Sequence, residues 1–237
     1  MLFGKFLEVS VHAPDIPASL EFYESLGFVQ ASTGEAWSHP YAVVTDGRLY
    51  IGLHQARFAS PTLTWVLPDV ARHAAKFHEL GIEFEFARLD SETFHEIGFF
   101  DPSGQMIAVI EARTFTPPAL PPGFSSELGY FEEFGIPTSD LERSAAFWDR
   151  LGFVAFDPVS VPFPKIVAAG RDLNIGLYDL DLRQTVLTYS DPAMSERIPR
   201  LRDRGLLFAD RLPRGLSARE SAILRAPEGT ELLLTTG

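Results

Sequence analysis

The stretch FLEVSVHAP, residues 6–14, sets Leu7, Val9 and Val11 against Glu8, Ser10 and His12, the two-residue alternation of a strand with one apolar face. A helix is predicted next, because Asp15 stands where a side chain can accept the first free amides and Pro17 suits an opening turn. LEFYESLGF, residues 20–28, closes on a glycine, which takes the left-handed conformation of a helix end without Cβ strain. Phe22 and Tyr23 are then core contacts. Two apolar runs joined by Asp46-Gly47 in YAVVTDGRLYIGLHQ, and a second pair joined by Pro102-Ser103-Gly104 in GFFDPSGQMIAVIEA, predict later strands linked by tight turns.

The same order returns downstream. AAFWDRLGF, residues 145–153, repeats the aromatic, acid and Leu-Gly-Phe ending, so Phe147 and Trp148 are read as core too. Asp15 and Asp140 stand 125 apart (140 minus 15), as do Glu8 and Glu133, Gly27 and Gly152, and Gly104 and Gly229. YIGLHQ and NIGLYD, at 50–55 and 174–179, are offset by 124 (174 minus 50). One inserted residue in so long a match is a duplicated domain. Each half divides again, LGF being echoed as LGI at 80–82 and as RGL at 204–206. Four βαβββ modules result, in a chain of class α+β. TFTPPALPPG, residues 114–123, carries four prolines and reads as the linker. The expected domains are residues 1–113 and 127–237, with the linker at 114–126.

Composition narrows the function classes. With 46% hydrophobic and 22% charged residues the 237-residue chain is globular material, and the net charge of -12 opposes nucleic acid and anionic lipid. No apolar run reaches the roughly 18 residues of a membrane span, so a cytoplasmic protein, monomeric or homodimeric, is expected. Cysteine is absent, which removes disulfides and thiolate chemistry. All six histidines, His12, His39, His54, His73, His78 and His95, fall in the first half.

DIPASLEFYESLGF and DLERSAAFWDRLGF after a first strand, with FFDPSGQMIAVIE and LRAPEGTELLL at each domain end, resemble the vicinal oxygen chelate superfamily of glyoxalase, extradiol dioxygenase and bleomycin resistance proteins. The resemblance implies tandem glyoxalase-like domains whose mixed sheets curl into cups, helices on the convex side, with a divalent metal on His, Glu or Gln ligands inside. Its first metal position falls on Glu8 and Glu133, seven before the capping aspartates. Its other positions fall on Gly52 and Gly176, on Thr62 and Val186, and on Ala108 and Leu233, which leaves one carboxylate per cup where a catalytic metal needs about three ligands. A site rebuilt from Glu8, His12 and His54 is the metal alternative, and the resemblance leaves open whether module one pairs with two or with four.

The expected function is therefore that of a superfamily member with degenerate metal sites and no resident cofactor, binding a small apolar or aromatic molecule. A carboxylate in an apolar cup is costly to charge unless a donor or cation is near. Glu8 and Glu133 are candidate general bases or anchors, or else buried acids satisfied by Tyr50 or Tyr178 for stability alone. Tyr50, His54, Thr62, Met106, Ala108, Tyr178 and Leu233 are the expected ligand contacts, with Ile110 beside them and Trp37, Tyr41 and Phe94 at the rim. The rivals are a metal-dependent lyase, isomerase or extradiol-type dioxygenase built on Glu8, and a non-catalytic assembly module.

Overall fold

A computed structural model describes residues 3–32, 37–90, 94–112 and 124–237. The proline-rich stretch 114–123 lies outside the described residues. β1 (Lys5–His12) leads to α1 (Ile16–Ser25), where Asp15 accepts from the Ala18 amide at 3.0 Å and Gly27 follows at φ 86°. β2 (Val29–Ala31), β3 (Tyr41–Thr45) and β4 (Tyr50–His54) complete the first module. β5 (Thr62–Leu67), α2 (Val70–Glu79), β6 (Phe86–Arg88), β7 (Glu96–Phe100) and β8 (Met106–Glu111) form the second.

The second half repeats the order with β9 (Tyr130–Pro137), α3 (Leu141–Arg150), β10 (Val154–Ala155), β11 (Lys165–Ala169) and β12 (Asn174–Tyr178). β13 (Val186–Ser190), α4 (Met194–Asp203), β14 (Ala222–Arg225) and β15 (Glu231–Thr235) close the chain. Asp140 caps α3 as Asp15 caps α1, accepting from the Arg143 amide at 3.0 Å. In this last module the first strand after the helix is reduced to one bridge, Phe208 with Leu224. Residues 208–216 are thereby released for another use.

The strands form an eight-stranded sheet, β2-β3-β4-β1-β5-β8-β7-β6, and a seven-stranded one, β10-β11-β12-β9-β13-β15-β14. Module one thus pairs with module two, through antiparallel β1 and β5, and three with four through β9 and β13. Each of these central pairings carries a bulge just before its glutamate. The register slips by one between Phe6 and Glu8, and again between Phe131 and Glu133, so that Glu8 faces Thr64 and Glu133 faces Thr188. A bulge twists the strand locally and re-aims the next side chain.

Val9, Val11, Tyr23 and Leu26 are buried in a core that runs through both halves. Phe3 meets Phe153 at 6.1 Å between ring centres, and Trp65 meets Trp148 at 6.4 Å. The predicted core aromatics Phe22, Tyr23, Phe147 and Trp148 are all buried there. The alternation of β1 leaves Glu8 and Ser10 on the opposite, concave face.

Candidate functional site

Glu8 is 1% exposed, and its carboxylate is held by three donors from three elements. Ser10 Oγ donates to Oε1 at 2.8 Å, Tyr41 Oη donates to Oε2 at 2.5 Å, and His54 Nε2 lies 2.7 Å from Oε1 as a hydrogen-bond donor. Thr64 Oγ1 stands 2.8 Å from Ser10 Oγ, and because the Ser10 proton goes to Glu8, Thr64 is the donor of that pair. On its far side His54 Nδ1 meets His39 Nε2 at 2.9 Å. Burial first, and the Glu8 charge second, push the Tyr41 phenol far above its ordinary pKa, so it remains a donor. Burial, then the charge on His54, lowers the pKa of His39.

Strand pairing explains why these groups meet. Tyr41 is directly opposite His54 in the β3–β4 hairpin, while β4 runs parallel to β1 with Ser10 beside Gly52. A Cβ built on Gly52 would stand 2.1 Å from Glu8 Oε1. The glycine is what lets the carboxylate lie across the sheet. Aromatic rings cover the cluster, with Trp37 5.2 Å and Phe58 5.5 Å from the His54 ring centre.

The C-terminal cup keeps the same plan with different residues. Glu133, 3% exposed, accepts from Lys165 Nζ at 2.7 Å and from Tyr178 Oη at 2.7 Å, both on Oε1. Thr188 Oγ1 is 2.8 Å from the Tyr178 oxygen, repeating the chain of threonine, hydroxyl and glutamate. Lys165 corresponds to Tyr41 and Tyr178 to His54, each offset by 124 (165 minus 41 and 178 minus 54). Tyr178 lies so close over Gly135 and Gly176 that a Cβ on either would stand 2.4 Å from its ring. Phe163, Leu180, Val186, Ile223 and Leu233 bury one another around this ring, with Leu212 and Leu216 packed on them. The middle of that cup is occupied by its own side chains, partly from residues 208–216 of module four, and a small cavity remains beside Leu212, Ile223 and Glu231.

The expected contacts sort accordingly. His54, Thr62, Met106 and Ala108 are buried on the N-terminal cup face, Thr62 donating to the carbonyl of Ala59. Tyr178 and Leu233 lie inside the C-terminal cluster. Tyr50 sits at the opposite end of β4 from His54, paired across the hairpin with Thr45, so the tyrosine on Glu8 is Tyr41. Trp37 does reach the cup, over His54, and Phe94 is exposed. His12, paired in register with His54, has a buried Nδ1 with no partner and does not join the Glu8 cluster. His73 and His78 lie on α2 and His95 pairs with Glu111 at 2.6 Å. Sequence reasoning missed His39 and Lys165; only the 124-residue offset from Tyr41 could have flagged the lysine.

At the metal positions that the resemblance implies, donors are sparse. His54 spends both ring nitrogens, one on Glu8 and one on His39, and Glu8 already serves three donors. Gly52 and Ala108 offer no ligand atom, and in the other cup an ammonium occupies Glu133. Among the described residues no three His, Asp or Glu side chains converge as a metal group. Nor is any helix among them long and apolar enough to cross a membrane.

No family model matches the chain, and no curated protein matches it in sequence. Solved structures do match its fold. A catechol 2,3-dioxygenase shares 12% identity at a TM-score of 0.60, over 99% of this chain and 88% of that one. Homoprotocatechuate 2,3-dioxygenase from Brevibacterium fuscum shares 15% at 0.63, over 99% and 72%. BphC, a halotolerant catechol dioxygenase, shares 14% at 0.56, over 99% and 87%. The chain therefore has the two-domain fold of the extradiol dioxygenases, the α+β tandem of cupped sheets.

Proposed function

We propose that the N-terminal cup binds a small aromatic or apolar molecule carrying one polar group, with Glu8 as its anchor and without a resident metal. The observation that carries this reading is the divergence of the two cups. In one, Phe163, Leu180 and Leu233 pack around the Tyr178 ring, leaving only a small cavity beside Leu212, Ile223 and Glu231. The other keeps a buried, charged network beneath Trp37 and Phe58, and among the described residues no comparable cluster fills it. An apolar, aromatic lining with a few convergent polar groups is the usual composition of a small-molecule site. A variant of the Brevibacterium fuscum enzyme was solved in complex with HPCA, so a protein of this fold holds a small organic molecule.

Tryptophan emission tests this directly. Trp65 and Trp148 are buried in the core, whereas Trp37 borders the cup, so a ligand there changes the Trp37 signal. A panel of phenols, aryl acids and aryl amines is titrated into the protein with and without Mn, Fe and Zn salts. Saturable quenching that needs no metal and disappears in Trp37→Phe, with weakened affinity in Glu8→Gln, is the expected result. Binding only in the presence of metal would instead favour a metal-dependent dioxygenase or lyase.

A further inference from the structure

We infer that the cleft between the two halves is a second binding site, separate from the Glu8 cup, for a small organic acid: an apolar body ending in one carboxylate. Four segments meet there, residues 59–61 and 103–106 from the first half and 136–137 and 183–185 from the second. They border a space of about 300 Å³, at the low end of the range for small-molecule pockets. None of the groups bonded to Glu8 lines it.

Duplication accounts for the shape of the cleft. Ser60-Pro61, just before β5, and Gln184-Thr185, just before β13, are counterparts 124 apart (184 minus 60), and both border it. The same two pairs also border a smaller lobe of about 110 Å³. There the turn Glu228-Gly229 replaces Ser103-Gly104 of the larger lobe, 125 earlier (228 minus 103). The two lobes differ in charge. Glu228 and Glu231 line the smaller one. Among the described residues no acid lines the larger one, whose charged residue is Arg183. On a chain with a net charge of -12, a wall free of carboxylates around an arginine favours an anion.

The lining narrows that anion to a carboxylate on an apolar body. Among the described residues Arg183 makes no ion pair, although Asp181 and Asp210 stand with it around the neighbouring C-terminal cavity. Its planar fork of donors is therefore open to a carboxylate. One cation balances one negative charge, whereas a phosphate dianion would remain half compensated. Pro61, Ile136 and Pro137 give the body an apolar wall. Thr185 borders both lobes, and its hydroxyl is buried without a partner, a rarity among buried polar groups. Turning about its side-chain bond, it can donate to a ligand without giving up another bond. Gln105 holds the wall in place, donating to the carbonyls of Pro61 and Met106 at 2.8 Å each.

Hexanoate and hexanamide test this, being alike in shape and unlike in charge. Calorimetric titration of the full chain is expected to show saturable binding of hexanoate, with hexanamide weaker by about tenfold or more. Arg183→Gln, at an exposed position, is expected to weaken hexanoate by a similar factor and to leave hexanamide unchanged. Thr185→Val removes a hydroxyl that has no partner, so the urea midpoint is expected not to fall while hexanoate affinity drops severalfold. Trp37 emission is expected to stay constant throughout, because the acid binds away from the cup. No hexanoate binding, equal affinity for acid and amide, or wild-type affinity in Arg183→Gln overturns the site. A hexanoate-induced change in Trp37 emission that persists in Arg183→Gln places the acid in the Glu8 cup and overturns it as well.

Discussion

Glu8 lies across Gly52, its two carboxylate oxygens 2.1 and 2.5 Å from where a glycine-to-alanine Cβ would stand. The residue that leaves this sheet position without a ligand atom is also the one that makes room for the acid. Gly52→Ala therefore forces Glu8 off His54, Tyr41 and Ser10 together. A loss of about 1–3 kcal/mol is expected for such overpacking, seen as a lower urea midpoint, with the Trp37 emission altered because the rings beneath it move. An alanine variant with wild-type stability would show that the carboxylate is free to sit elsewhere.

The second cup allows the ion pair to be dissected. Lys165→Met leaves Glu133 buried with only the Tyr178 hydroxyl on it. Breaking a fully buried pair costs about 3–5 kcal/mol; Lys165 keeps 21% of its side chain exposed, so a loss of about 2–3 kcal/mol is expected. Lys165→Met combined with Glu133→Gln is expected to recover most of that, since no unpaired charge remains. Additive losses in the double variant, measured by urea unfolding, would mean the two groups are not energetically coupled.

What the sequence made legible follows from what repeats. The strand alternation, the capping aspartates and the closing glycines are local signals, and duplication wrote each one twice, which is why Glu8 and Glu133 stood out. The partners of Glu8 were harder. Tyr41 and Tyr50 lie at opposite ends of one hairpin, and only its register, Tyr41 opposite His54 and Thr45 opposite Tyr50, decides which tyrosine reaches the acid. His39 belongs to no periodic element. It reaches His54 because the chain enters β3 beside the end of β4. The packing around Tyr178 in the C-terminal cup was hidden for the same reason, since Leu180, Leu212 and Leu216 sit in irregular segments whose packing no periodicity encodes.

Asp46 supplies a pH test away from the cups. Its Oδ1 accepts from the Arg48 and Leu49 amides at 2.9 and 2.8 Å in the β3–β4 turn, yet burial outweighs these bonds and raises its pKa above 3.8. A raised carboxylate pKa contributes stability that is present below 3.8 and is lost as pH rises through the folded-state value. Asp46→Asn keeps the acceptor and removes the titration. The stability of the wild type minus that of Asp46→Asn is thus expected to fall as pH rises through the acidic range and then to level off. Parallel curves from urea unfolding across that range would contradict the shift.

Glu228 tests whether the two halves unfold as one. It stands in the turn before β15, yet it accepts from Ser19 Oγ at 2.8 Å and Tyr23 Oη at 2.7 Å, both on α1. The duplicate contact is weaker, with Ser144 of α3 at 3.3 Å from Ser103 in the corresponding turn of the first half. Glu228→Ala strands a fully buried tyrosine hydroxyl and a buried serine, each costing about 1–3 kcal/mol when left unpaired. The apolar core nevertheless remains continuous, because Phe3 with Phe153 and Trp65 with Trp148 still cross between the halves. The expected outcome is a lower urea midpoint with an unchanged slope and a single transition. Two separated transitions would instead mean that the bond from Glu228 to α1, rather than the shared aromatic core, couples the halves.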